Sequence, residues 1–95
     1  MNAVIADHSP VAIWKRTIQP ESATLAPAEA RAMLRLRLSP LDLSRVDELA
    51  AKLRAGGLAA EEEREMSDYV AIGGALEFLK SKARLSLKRA RSAAA

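Results

Sequence analysis

The sequence predicts an all-α protein, and three of its features favour that fold. Ala, Leu, Glu and Arg, which suit helices, are abundant, whereas Trp, Tyr and Phe occur once each. Apolar residues recur at spacings of three and four along the second half of the chain. Pro and Gly punctuate the sequence where helices would begin and end. We therefore expect a helical hairpin with a preceding short helix, an extended N-terminal arm and a long basic C-terminal helix.

Residues 1–24 form the predicted arm, which we expect to be extended and flexible. Pro10 and Pro20 interrupt helical structure, because proline lacks a backbone donor and restricts the residue before it. The stretch 11–14, together with Ile18, is nevertheless too apolar for an ordinary tail. We expect something to cover it.

Residues 25–95 are predicted to form one three-helix domain. Its first helix covers about residues 27–38 and begins at Pro27, since proline suits the first helical position. The residues on one side of this helix make only a short apolar stripe: Ala30, Met33, Leu34 and Arg37.

The second predicted helix, residues 40–55, has the clearest start signal in the chain. Ser39 can cap it, Pro40 occupies its first position, and Asp42 can complete a capping box. Gly56 and Gly57 end it, because glycine readily adopts the left-handed conformation that follows a helix. Its apolar stripe consists of Val46, Leu49, Ala50 and Leu53.

The third predicted helix, about residues 60–90, is the longest. Glutamates crowd its first turn and lysines and arginines its last turns, so both ends complement the helix dipole. Gly73 and Gly74 permit a close helix crossing or a kink within it. The short Gly-containing connection makes helices two and three an antiparallel hairpin. One continuous apolar seam runs along helix three: Tyr69, Ile72, Leu76, Leu79, Ala83 and Leu87.

The supply of reactive side chains argues against an enzyme. The chain has no cysteine, and its one histidine, His8, lies in the predicted arm. The glutamates at 61–65 occupy an exposed first turn, where complementing the dipole is their expected role. Neither glycine pair has the surroundings of a phosphate-binding loop. We therefore expect no catalytic residue, no cofactor and no metal.

The sequence also predicts a cytoplasmic protein. No apolar run approaches the ~20 residues that span a bilayer. The first residues carry neither the basic segment nor the apolar stretch of a signal peptide.

Charge is segregated along the chain. Residues 41–77 carry four basic against nine acidic groups, a balance of −5, and residues 78–95 carry six basic groups and no acid. This basic end is either a solvated helix terminus or a surface that contacts nucleic-acid backbone. No aromatic residue within it could stack on a base, so sequence-specific reading is not expected. Its candidate residues are Lys80, Lys82, Arg84, Lys88, Arg89 and Arg91.

Two apolar regions are candidate anchors for a partner protein. Ile13, Trp14 and Arg16 combine residue types that dominate interface hot spots, although Trp14 could instead fold back over the thin core. The seam of helix three is longer than helix two can cover, so its residues either pack within the chain or mediate dimerisation or docking. The candidates there are Tyr69, Ile72, Leu76 and Leu79.

Several stretches of the chain carry a resemblance to known proteins: Leu25 to Leu34, Asp47 to Lys52, Gly57-Leu58, Glu61-Glu62, Tyr69, Gly73 and Ser81 to Lys88. At these positions the sequence resembles a group of short bacterial helical proteins that are antitoxin-like and are often encoded beside an HNH-type endonuclease. The resemblance covers about residues 14–90. The sequence departs from the group at Ala26 and Ala59, where Ser or Thr caps are usual.

The resemblance implies a partner protein, a nuclease that this chain restrains, assists or directs. The acidic span 61–68 would cover a basic groove on such an enzyme, as phosphates do. The alternatives that the residues leave open are a non-specific nucleic-acid-binding protein and a structural homodimer.

Overall fold

A computed structural model describes residues 7–94, which form four helices and no strand. The helices are α1 (Pro10–Ile18), α2 (Pro27–Leu34), α3 (Pro40–Ala55) and α4 (Ala60–Ala94). The prediction of an all-α fold is therefore confirmed. Within the described range, no helix combines the length and apolarity that crossing a bilayer requires.

The predicted extended arm is wrong for residues 10–18, which form α1. Ser9 caps this helix through its Oγ, which accepts a hydrogen bond from the Ala12 N–H at 3.2 Å. Pro10 stands at the first helical position, where its missing donor and restricted φ favour a helix start. Gln19 ends the helix with a left-handed φ of 55°. Residues 1–6 of the predicted arm lie outside the described range.

Ala26 and Ala59 precede α2 and α4 and have no side-chain oxygen to cap them. A glutamate three residues later partly replaces each cap. Glu29 accepts a hydrogen bond from the Ala26 N–H at 2.7 Å, and Glu62 accepts one from the Ala59 N–H at 3.1 Å. Each contact is the returning half of a capping box, which satisfies a backbone donor that the helix leaves free. Both helices consequently begin where the sequence predicts.

Two of the predicted helix ends differ from the structure. The helix predicted over 27–38 stops at Leu34, and Arg35 and Leu36 close its last turn with bonds to carbonyls three residues back. Such tighter bonds are common where a helix terminates. The helix predicted over 60–90 continues to Ala94, whereas Pro40–Ala55 has the predicted bounds.

Helix α4 is the element on which the other three pack. Helix α1 runs parallel to it: Val11 lies against Gly74, and the Lys82 Nζ donates to the Ile18 carbonyl at 2.7 Å. Helix α2 packs against its C-terminal half, where the backbone N–H of Leu25, just before α2, donates to the Ser86 Oγ at 3.2 Å. The buried residues are few and mostly small: Ile18, Ala30, Leu49, Ala83 and Ser86.

The molecule is open for its size. Its radius of gyration is 17.2 Å, against about 12 Å expected for a compact chain of this length. Its extents are 53 × 49 × 16 Å, so the helices form a thin layer. A layer this thin has little interior, which explains why so few large apolar side chains are fully buried.

Candidate interaction surfaces

The N-terminal candidates lie on α1, and their apolar side chains are nearly half exposed. Ile13 is 46% exposed and Trp14 is 44% exposed, although α1 itself is packed on α4. The Arg16 Nη1 donates to the Asp7 carbonyl at 2.7 Å, which fixes that side chain against the chain entering the helix. A shallow concavity beside these residues is lined by Lys15, Arg16, Pro20 and Glu21.

Tyr69, predicted as part of an apolar seam, is held by a polar contact between α3 and α4. Its hydroxyl donates to Asp42 Oδ1 at 2.7 Å, and the Ser39 hydroxyl donates to Asp42 Oδ2 at 2.8 Å. The Tyr69 bond lowers the pKa of Asp42, with a further contribution from Ser39. The same bond raises the pKa of Tyr69, because the neutral hydroxyl is the donor.

Arg45 is the centre of the other polar contact between these two helices. Its Nε donates to Glu65 Oε1 at 2.7 Å and its Nη2 to Glu65 Oε2 at 2.8 Å, a bidentate pair. Its Nη1 donates to Glu48 Oε2 at 2.8 Å, and Lys52 pairs with Glu62 further along. Hydrogen bonds from Arg45 lower the pKa of Glu65, and those from Lys52 lower the pKa of Glu62.

These contacts set the relative direction of α3 and α4. Asp42 meets Tyr69, Arg45 meets Glu65, and Lys52 meets Glu62, so residue numbers rise on one helix as they fall on the other. The two helices therefore run antiparallel where they touch. The acidic span 61–68 loses Glu62 and Glu65 to these pairs, while Glu61, Glu63 and Asp68 face solvent.

The predicted seam is divided between interior and surface. Ile72 is 47% exposed, whereas Leu76 and Leu79 are half-buried. Farther along, Ala83 is fully buried in the part of α4 against which α2 packs. Part of the seam is therefore covered within the chain, and Ile72 remains at the surface.

The basic candidates do not share one surface. The Lys82 ammonium is bonded to the Ile18 carbonyl, and Arg89 stands half a helical turn away from Lys80. Lys80, Arg84, Lys88 and Arg91 share the side of α4 opposite Lys82 and Arg89, and we call them the basic stripe. Arg84 approaches Glu77 at 3.4 Å, while Lys88 and Arg91 are exposed and form no ion pair within residues 7–94.

Two features of these surfaces escape sequence reasoning. The Arg45–Glu65 pair joins residues twenty positions apart, and nothing in the local pattern marks them as partners. The apolar stripe of α3 is readable from its spacing, but which part of it α4 covers is not. Leu43 and Leu53 turn out to be 49% and 55% exposed.

Within the described part of the chain, no group of three or more His, Cys, Asp or Glu side chains is placed to hold a metal ion. His8 is exposed just ahead of α1, beside Ser9. The surfaces above therefore offer apolar contacts and charge. Comparison with protein-family models, with curated proteins and with solved structures finds no match.

Proposed function

We propose that the chain is a non-catalytic protein-interaction subunit, antitoxin-like or accessory, whose partner is a nuclease of the HNH type. The observation that carries the interaction role is Trp14, which is 44% exposed on a helix anchored to α4. An aromatic side chain held on a packed helix loses little conformational freedom when a partner covers it.

Several other exposed side chains support an interaction role. Ile13 stands beside Trp14 on α1 and Ile72 faces solvent on α4, so apolar surface is available on two helices. Apolar side chains exposed on packed helices can contribute to a contact with another protein. Arg16 lies two positions after Trp14 and is turned about 200° from it, so it adds a cation on another side of α1.

The nuclease is the part of the proposal that comes from the resemblance, and the acidic end of α4 supports it. Glu61, Glu63 and Asp68 are exposed there, close to the start of the helix. Carboxylates on a rigid helix can meet the basic groove of a nuclease as phosphates do. Glu62 and Glu65 contribute less, since α3 already neutralises them.

The test is affinity purification of the tagged chain from the cells that make it, at moderate and then high salt. We expect one stoichiometric protein that survives high salt, because apolar anchors are not screened. Trp14→Ala should lose it, and the matched control Lys15→Ala on the same helix should retain it. Recovery of nucleic acid alone, removed as salt rises, would contradict the proposal.

The basic stripe favours a second candidate function, non-specific binding to nucleic-acid backbone. It lies on the part of α4 opposite the Lys82 contact with α1, and Lys88 and Arg91 extend into solvent. Under this alternative, log affinity falls with log salt by about 0.9 per phosphate neutralised on duplex DNA. Lys88→Glu should weaken binding strongly, whereas the same charge change in Arg89→Glu, off the stripe, should weaken it less.

A further inference from the structure

The α3–α4 pair carries an apolar stripe beside its polar contacts. Arg45 and Glu65 meet between the two helices. On α3, four apolar residues follow one another at helical spacing on the side away from Arg45: Leu43, Val46, Ala50 and Leu53. Leu43 and Leu53 are about half exposed, and Val46 and Ala50 are half-buried. Helix α4 therefore leaves much of this stripe uncovered.

Helix α4 continues the same surface. Met66 follows Glu65 by one position, as Val46 follows Arg45, and one position turns a helix by about 100°. Because the two helices run antiparallel, that turn carries both residues to the same side of the pair. Val70, one helical turn beyond Met66, is 61% exposed. We call the surface made by Leu43, Val46, Ala50, Leu53, Met66 and Val70 the α3–α4 apolar face.

The chain exposes more surface than a compact monomer of its mass. The molecule exposes 7007 Å², whereas a compact monomer of 10.2 kDa would expose about 5300 Å². The excess is about 1700 Å² for one chain. Obligate homodimers bury roughly 1000–2500 Å² on each subunit, which is the same order as this excess.

The charges around the apolar face suit a second copy. Asp47 and Arg54 lie on α3 at its edge, and Glu63 lies at the corresponding edge of α4, all three exposed. A two-fold axis near Ala50, midway between Asp47 and Arg54, places the Arg54 cation of each copy opposite the Asp47 carboxylate of the other. Contacts related by a two-fold axis must be self-complementary, and a rim of mixed sign fulfils that condition.

We propose that two copies of this chain associate through their α3–α4 apolar faces as a two-fold symmetric dimer. The four helices, two from each copy, then enclose one apolar layer, in the manner of a four-helix bundle. The small side chain of Ala50 allows the two α3 helices to approach closely at the axis. This inference does not depend on the nuclease partner, and it uses a different surface from Trp14.

The test is the mass of the purified chain in sedimentation equilibrium. We expect about twice 10.2 kDa for the wild type. Val70→Lys and Leu53→Lys should sediment as monomers, since each buries a charge in the contact. Leu41→Lys is the matched control: Leu41 is 81% exposed on another side of α3, so this variant should remain dimeric. Helical circular dichroism shows whether each variant is folded.

Disulfide cross-linking tests the same dimer without weakening its interface. The chain has no cysteine, so a single engineered thiol reports on one position. On mild oxidation, Ala50→Cys should form a disulfide between copies, and Leu41→Cys should not.

A wild-type chain that is monomeric at every concentration would overturn the dimer, as would equal cross-linking by the two cysteine variants. If Val70→Lys instead prevents recovery of another protein from a monomeric chain, the face belongs to that protein and the dimer is wrong. Loss of the nuclease in Trp14→Ala with an intact dimer would leave both proposals standing. A dimer that recovers no nuclease would remove only the proposed function.

Discussion

Proline has the same role at three positions in this protein. Pro10, Pro27 and Pro40 each occupy the first helical position, where the missing N–H has no partner in any helix. Ser9 and Ser39 precede two of them and accept bonds from the N–H groups of the first turn. A Ser-Pro pair in this chain therefore begins a helix, whereas Pro20 follows one that has already ended.

Gly73 and Gly74 have different surroundings. Replacing one of them tests whether α4 needs a glycine here for a close helix crossing. A Cβ at Gly73 would meet nothing within 4 Å, and one at Gly74 would contact only Val11, at 3.6 Å. Both glycines lie within α4. We predict that Gly73→Ala stabilises the protein by about 1 kcal/mol, the difference in helix propensity between the two residues.

Thermal or urea unfolding, followed by circular dichroism, measures this change. Gly57→Ala is the control with the opposite expected effect. Gly57 has a φ of 124°, which L residues rarely adopt, so this substitution should lower the free energy of unfolding by about 1–3 kcal/mol. Destabilisation by Gly73→Ala would mean that α4 needs a bend at this position.

Of the three helices that pack on α4, α3 depends most on polar contacts. Its contacts to α4 include one buried leucine, Leu49, and the ion pairs Arg45–Glu65 and Lys52–Glu62. Helices α1 and α2, by contrast, pack more closely on α4 and bond its lysine and serine side chains to backbone groups. The attachment of α3 should therefore depend on pH more than that of the other two.

We predict that stability falls as the solution is made acidic. The pKa values of Asp42, Glu62 and Glu65 are lowered in the folded chain, so their contribution is present above an unfolded pKa near 4. It is lost as pH falls through the lower folded values, when the carboxylates become protonated. The midpoint of thermal unfolding, measured between about pH 6 and pH 2, follows this loss.

Matched glutamine variants test the assignment of that pH dependence. Glu65→Gln should lower the unfolding temperature at neutral pH and flatten the acidic limb of the profile, because the Arg45 pair is already broken. Glu61→Gln, an exposed residue of the same helix, should leave the profile close to that of the wild type. Identical profiles for the two variants would show that the Arg45–Glu65 pair contributes nothing to the pH dependence.

At the scale of the whole molecule, the balance between buried and exposed apolar surface is unusual. Nine large apolar residues are exposed in the described chain, and the one large side chain fully buried is Leu49. A thin layer of helices buries little surface, while it still loses conformational entropy on folding. A contact with another molecule would add the missing burial, which is the common basis of both proposals.

We predict that the unfolding temperature of the wild type rises with protein concentration, as it must when two folded copies unfold to separate chains. Differential scanning calorimetry over a wide concentration range measures the shift. Val70→Lys should unfold at a lower temperature that does not vary with concentration. A constant unfolding temperature for the wild type would indicate that the single chain is stable by itself.

The sequence by itself determined the helical fold and the positions where three of the four helices begin. Proline, serine and glutamate act within a few residues of themselves, so these starts can be recognised without the tertiary structure. The same local rules apply at Ser9-Pro10, although proline interrupts a helix at other positions, so the pair by itself is ambiguous. The pairing of charge with dipole along α4 is local as well.

Only the tertiary structure decided which surfaces remain available. Arg45 and Glu65 meet because two helices run antiparallel, the Lys82 ammonium is bonded because α1 ends beside it, and part of the seam is buried because other helices pack on α4. A helical repeat shows that a residue belongs to an apolar stripe, but burial depends on which neighbour packs against that stripe. That choice is made by contacts between residues far apart in the chain, which no local spacing encodes.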